Sequence, residues 1–119
     1  MKQTVINING VNYPVVFDLL ALSNFEEITD KGFFEANLNK INNRMAIVIG
    51  AAISADKNTA LTVEEMRGKE TFDDYEQIVE AYNVVMTLAN DFFKIPKVEE
   101  GKDPKPEEQE QEQEENVKN

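Results

Sequence analysis

The sequence predicts a mainly α, α+β fold in which an N-terminal β-hairpin is followed by a bundle of three to four helices. Three observations carry that expectation. Two alternating runs flank Asn9-Gly10; apolar residues then recur at spacings of three and four through most of the chain to Phe93; and past Pro96 large apolar side chains become scarce. A chain of 119 residues supports one hydrophobic core. Residues 1–96 are therefore expected to form a single hairpin-plus-helices domain, and residues 97–119 a disordered acidic tail.

The hairpin is the sharpest local signal. Thr4 to Ile8 and Val11 to Phe17 alternate on either side of Asn9-Gly10, two residues that tolerate positive φ and so specify a type I′ turn. A two-residue loop pairs Ile8 with Val11, Ile6 with Tyr13 and Thr4 with Val15, which gathers apolar side chains on one face. Pro14 has no N–H to give, so its strand should have a free edge there. A lone hairpin is marginal in water, and its apolar face must lie on helices or on another copy.

Asp18 is placed to cap a first helix through Leu19, Leu20, Leu22, Phe25 and Ile28, with Gly32 suited to its end. A second helix is expected from about Phe34 to Ser54. Its stripe is Leu38, Ile41, Met45, Val48 and Ala52, widened by Ile49 and Ile53, and it should be the most buried element. Thr62 with Glu65 reads as a capping box opening a short helix that ends near Gly68. Thr71 with Asp74 is a looser version of the same device. It opens a last helix that runs from Phe72 to Phe93 and stops by Pro96. The tail, rich in Glu and Gln, has too little apolar surface to offset the entropy of ordering.

Charge and composition narrow the chemistry. The formal net charge is −11, and residues 97–119 hold nine of the acids and four lysines, so the body is acidic as well. Clustered Lys and Arg, which phosphate neutralisation requires, are missing, and that argues against nucleic acid and against an anionic membrane surface. No apolar run approaches the ~20 residues that cross a bilayer. The start, Met1-Lys2-Gln3-Thr4, leads into the hairpin rather than a signal-peptide core, so a cytoplasmic protein is the default expectation.

Histidine and cysteine are both absent. That removes the commonest general base and any thiolate nucleophile or ligand, and Ser23 and Ser54 have no evident activating partner. Asp73, Glu76 and Glu80 have the spacing of a carboxylate metal site, but acids in the first turns of a helix favour its positive end and stay solvated. Asp56-Lys57-Asn58 lacks the later positions of a calcium loop, and the glycines are too scattered to cradle phosphate. No catalytic residue, metal site or cofactor is expected. Apolar surface remains, and Tyr82, Met86, Phe92 and Phe93 are the candidate partner-binding residues. Phe92 and Phe93 are adjacent and should not both face one core, so one is an exposed partner contact, unless the pair belongs to a wide buried face or a packed helix end.

The stretch Ile6-Asn7-Ile8-Asn9-Gly10-Val11-Asn12-Tyr13-Pro14-Val15-Val16-Phe17, with Leu19-Leu20-Ala21-Leu22-Ser23-Asn24-Phe25-Glu26-Glu27-Ile28-Thr29 after it, resembles the N-terminus of tail assembly chaperones of long-tailed bacteriophages. The likeness extends over residues 4–95, through the apolar middle helix, Leu61-Thr62-Val63-Glu64-Glu65-Met66 and the last helix. It departs at Thr29-Asp30-Lys31-Gly32, where the family often has Thr-Gly, and in the Glu/Gln-rich tail. The resemblance implies a non-enzymatic protein, acting in the cytoplasm of a bacterial host, whose copies coat the tape measure protein and keep it soluble while the tail tube assembles. It further implies self-association and contact with the major tail tube protein. The alternative is another protein-interaction adaptor of a phage or mobile element.

Overall fold

A computed structural model describes residues 3–94 of the chain. The expectations for the tail at 97–119 and for a stop at Pro96 lie outside the described residues. The order of elements is β1 (Gln3–Ile8), β2 (Val11–Val16), α1 (Leu19–Thr29), α2 (Ile41–Ala55), α3 (Val63–Arg67) and α4 (Phe72–Phe93). A hairpin followed by four helices is the predicted class.

β1 and β2 pair antiparallel in the predicted register, with Ile8 opposite Val11, Ile6 opposite Tyr13 and Thr4 opposite Val15. Asn9 and Gly10 take φ of 53° and 85°, as a type I′ turn demands. Hydrogen-bonded pairs alternate outward from Ile8–Val11, which leaves Pro14, opposite Val5, in a pair that needs no N–H. Ile6, Ile8, Tyr13 and Val15 are buried on one face. The tip is held from outside the sheet. Gln77 Nε2 of α4 donates to Asn9 Oδ1 at 3.1 Å, the Asn9 N–H donates to Gln77 Oε1, and Asn9 Nδ2 donates to the Glu65 carbonyl of α3 at 3.0 Å.

Asp18 caps α1 as predicted, its Oδ1 accepting the Ala21 N–H at 2.9 Å, and the same oxygen accepts the Ser54 hydroxyl of α2 at 2.6 Å. The helix ends earlier than Gly32. Asp30 takes the left-handed conformation at φ 58°, its N–H closing on the Glu26 carbonyl. Aspartate is among the few side chains that accept this conformation readily.

α2 begins at Ile41, seven residues after the predicted start at Phe34. The asparagines explain the difference. Asn37 Oδ1 accepts the Asn39 N–H at 2.9 Å, Asn43 Nδ2 donates to the Asn37 carbonyl at 2.8 Å, and Arg44 Nε donates to the Leu38 carbonyl at 2.6 Å. Side chains thus satisfy a turn that the apolar spacing alone reads as helix. From Met45 to Ala52 every residue is buried, and α2 packs against α1, α3, α4 and β2. Gly50 sits at the crossing with α1. A Cβ there would stand 3.0 Å from the Ala21 carbonyl oxygen and 3.2 Å from the Phe25 nitrogen, while Asn24 Nδ2 donates to the Gly50 carbonyl at 3.1 Å.

At α3 only the Thr62 half of the expected capping box forms, accepting the Glu65 N–H at 3.1 Å. The pair that looks looser in sequence closes fully. Asp74 Oδ2 accepts the Thr71 N–H at 3.1 Å, and the Asp74 N–H donates to Thr71 Oγ1 at 3.2 Å. The same Oδ2 also accepts the Thr71 hydroxyl and the Lys69 N–H. The chain between α3 and α4 folds around this carboxylate, with Gly68 and Glu70 both at positive φ. A side chain on Gly68 would overlap it. The hydrogen bonds from Thr71, backbone first and then hydroxyl, together with those from Lys69 and Glu70, hold the Asp74 carboxyl below its ordinary 3.8 against the opposing effect of burial.

Two outcomes follow from these contacts. Gly50→Val should lower stability in chemical denaturation by about 1–3 kcal/mol, because backbone rather than a flexible side chain blocks the new methyls. Asp74 has a native pKa below its unfolded one. Its contribution is therefore complete above about pH 4 and is lost as pH falls through the native value. Asp74→Asn should be less stable than the parent at pH 7, with the gap closing toward pH 2 when both are followed by urea denaturation.

Candidate interaction surface

Asp74, Ile78, Ala81, Val85, Leu88 and Phe92 recur at alternating spacings of four and three, which sets them on one stripe of α4. The first five are buried, and Phe92, at the far end where the core stops, is 38% exposed. A second stripe runs beside it. Tyr75, Val79, Tyr82, Met86 and Phe93 lie about a quarter-turn round the helix, and all but Tyr75 are half-buried. Tyr82, Met86 and Phe93 rest against the core. The Arg44 guanidinium of α2 lies 4.8 Å from the centre of the Tyr82 ring, in cation–π range. Gln77, tied to the hairpin tip, points to the opposite flank.

The end of α4 meets an aromatic chain. Phe17 at the end of the hairpin contacts Phe33, Phe92 and Phe93, at centroid distances of 5.9, 5.6 and 5.7 Å. Phe25 lies against Phe33, and Phe34 contacts both Phe33 and Phe93. Phe17, Phe25 and Phe33 are interior, whereas Phe34 is 79% exposed. Both Phe92 and Phe93 therefore join one cluster, as the packed-helix-end alternative has it, while Phe92 keeps part of its ring exposed. The Phe17 ring sits over the helix end, where it reaches side chains that diverge from the axis. Phe92 and Phe93 are a packed helix end with one open ring.

Of the four residues singled out from sequence, Tyr82, Met86 and Phe93 share the flank of α4, and Phe92 lies on the core stripe. The sequence reading missed Phe34, Phe72 and Tyr75. Phe72 and Tyr75 stack at 6.1 Å in the first turn of α4, and both are exposed. Their position offers a signal in retrospect: Phe72 follows the cap and precedes the first core-facing residue. Phe34 was hidden by the false helix start.

Ser54 does have a carboxylate partner, Asp18, which the sequence did not reveal, but that oxygen is already occupied as the cap of α1. Asp73, Glu76 and Glu80 are all exposed. Among the described residues no three acidic side chains converge as metal ligands, and no helix is long and apolar enough to cross a membrane. Comparison with family models, curated proteins and solved structures returns no match.

If the aromatic chain divides into core and surface as its exposures indicate, two adjacent phenylalanines should behave differently. Phe33→Ala should cost about 3–5 kcal/mol, as for other buried rings. Phe34→Ser should stay within about 0.5 kcal/mol of the parent. Thermal and urea unfolding of the two variants checks this.

Proposed function

We propose that the chain is a non-catalytic binding protein that masks an amphipathic helix of a larger partner, in the manner of the tail assembly chaperones its sequence resembles. The observation that supports this most is the flank of α4. Half-buried apolar side chains run along it and end at exposed rings on both sides, Phe72 with Tyr75 at one end and Phe34 with Phe92 near the other. From Tyr75 to Phe93 it extends about 27 Å at 1.5 Å per residue, the length of five helical turns. A helix laid along such a stripe is read through anchors at spacings of three and four. The tape measure protein of a phage tail, long and helical with apolar stripes, is a partner of that chemistry. The acidic surface keeps the complex soluble, and a partner helix with basic residues beside its apolar stripe would fit best.

Co-expression with the tape measure protein of the same tail module is the test. The chain should raise the soluble fraction of that protein and co-purify with it. Replacing both exposed rings, Phe72→Ser with Tyr75→Ser, should leave the fold intact and weaken the association tenfold or more. Absence of co-purification, or binding indifferent to both substitutions, would sink the reading.

A further inference from the structure

We propose that Asn9 is a site of non-enzymatic deamidation, and that docking of the hairpin tip on α3 and α4 gates the reaction. Asn9-Gly10 is the one Asn-Gly pair in the sequence. Glycine has no Cβ to obstruct its nitrogen, so Gly10 N is free to attack Asn9 Cγ once the two meet. A bond forms between Gly10 N and Cγ, the Cγ–Nδ2 bond breaks, and Nδ2 leaves as ammonia with the proton given up by the Gly10 N–H. Water then opens the cyclic imide at either carbonyl, which leaves an aspartyl or an isoaspartyl residue at position 9. The sum is one water consumed and one ammonia released. Asn9 is exposed, so water has access to it.

The folded tip engages both reacting groups elsewhere. The Gly10 N–H donates to Asn7 Oδ1 at 3.1 Å, and Asn7 is itself fixed by donating from Nδ2 to Asn12 Oδ1 at 2.9 Å. The Asn9 amide is held at both ends, its Oδ1 accepting from Gln77 Nε2 and its Nδ2 donating to the Glu65 carbonyl, while Gln77 Oε1 takes the Asn9 N–H. Ring closure must bring Cγ to bonding distance of Gly10 N, and these contacts together oppose that movement. Gln77 Nε2 also polarises the Asn9 carbonyl, which favours attack, but only when Cγ has come within reach. The reactive form is therefore a locally opened tip. Its product does not dock again. With oxygen in place of Nδ2, position 9 has nothing to donate to the Glu65 carbonyl, and it adds a negative charge to a chain of −11. The isoaspartyl form also adds a methylene to the main chain, which upsets the register of a two-residue turn. Deamidation thus cuts the tie between the hairpin and α4, in one direction only.

The test uses the full chain alone, incubated under mildly alkaline conditions and followed by peptide mapping that separates asparaginyl, aspartyl and isoaspartyl forms. In guanidinium chloride, conversion should concentrate at Asn9 and run about tenfold faster than in the native chain, or more. Gln77→Ala removes two of the three hydrogen bonds that hold Asn9 from outside the sheet, and it should speed conversion of the folded chain about tenfold with an unchanged circular dichroism spectrum. Gly50→Val weakens the fold at the crossing of α1 with α2 and leaves the tip alone, so it should keep close to the parent rate where both are folded. That variant separates local opening from global unfolding. Asn9→Asp should show faster hydrogen exchange at the tip than the parent. An Asn9 that survives in the unfolded chain, a native rate equal to the unfolded one, a Gln77→Ala rate equal to the parent's, a Gly50→Val rate matching that of Gln77→Ala, or undiminished tip protection in Asn9→Asp would each overturn the proposal.

Discussion

The fold depends on covering α2. Eight consecutive residues, Met45 to Ala52, are buried, so this helix has no solvent side through its middle and must be surrounded rather than backed. Each large side chain among them contributes on the order of 1.5–3 kcal/mol by leaving water, which makes the helix the main source of cohesion. Gly50 lets α1 approach until backbone meets backbone. β2 and α4 cover other sides, and α3 adds a smaller contact. Every neighbour is recruited by the same apolar cylinder, and each gives one face to it.

That geometry leaves α4 with more apolar surface than α2 can use. The stripe from Asp74 to Leu88 is consumed in the core, and the flank through Tyr82 and Met86 is covered on one side only. Three fixtures keep α4 from rolling to hide it. Asp74 ties the first turn to the loop after α3, Gln77 is held by the hairpin tip, and Phe92 with Phe93 is engaged by Phe17. Each fixture acts at a different height on the helix. A rotation that buried Met86 would break the amide pair at Asn9 and withdraw the rings at the far end.

Much of this was legible in the sequence because it rests on local rules. The hairpin register follows from a period of two and a two-residue turn, and Asp18 and Thr71 mark helix starts by their own hydrogen bonds. The failures have a common cause, since apolar spacing registers burial without registering backbone. Leu38 packs against the core from a turn, and nothing in its spacing from Ile41 and Met45 distinguishes that from a helical position. The signal lay in Asn37 and Asn39, whose side chains compete for backbone partners. The two capping boxes were ranked by residue type, yet closure was decided by Gly68, which makes room for the Asp74 carboxylate. Phe92 and Phe93 were judged by helix geometry alone, and the ring that reconciles them comes from the end of the hairpin.

A half-covered apolar flank favours association in water, and the distribution of charge on α4 bears on what can approach it. Glu76 and Glu80 are exposed and border the flank, where they would repel an acidic surface brought against it. Arg44, on the other border, has its guanidinium over the Tyr82 ring and its Nε donating to the Leu38 carbonyl, so the cation is held in place beside the flank. The flank is therefore apolar along its length, with acidic side chains on one border and the fixed Arg44 on the other. A helix laid on such a flank would be selected by alignment as well as by hydrophobicity: one that offered apolar anchors but acidic neighbours would lose at the acidic border what it gained along the stripe.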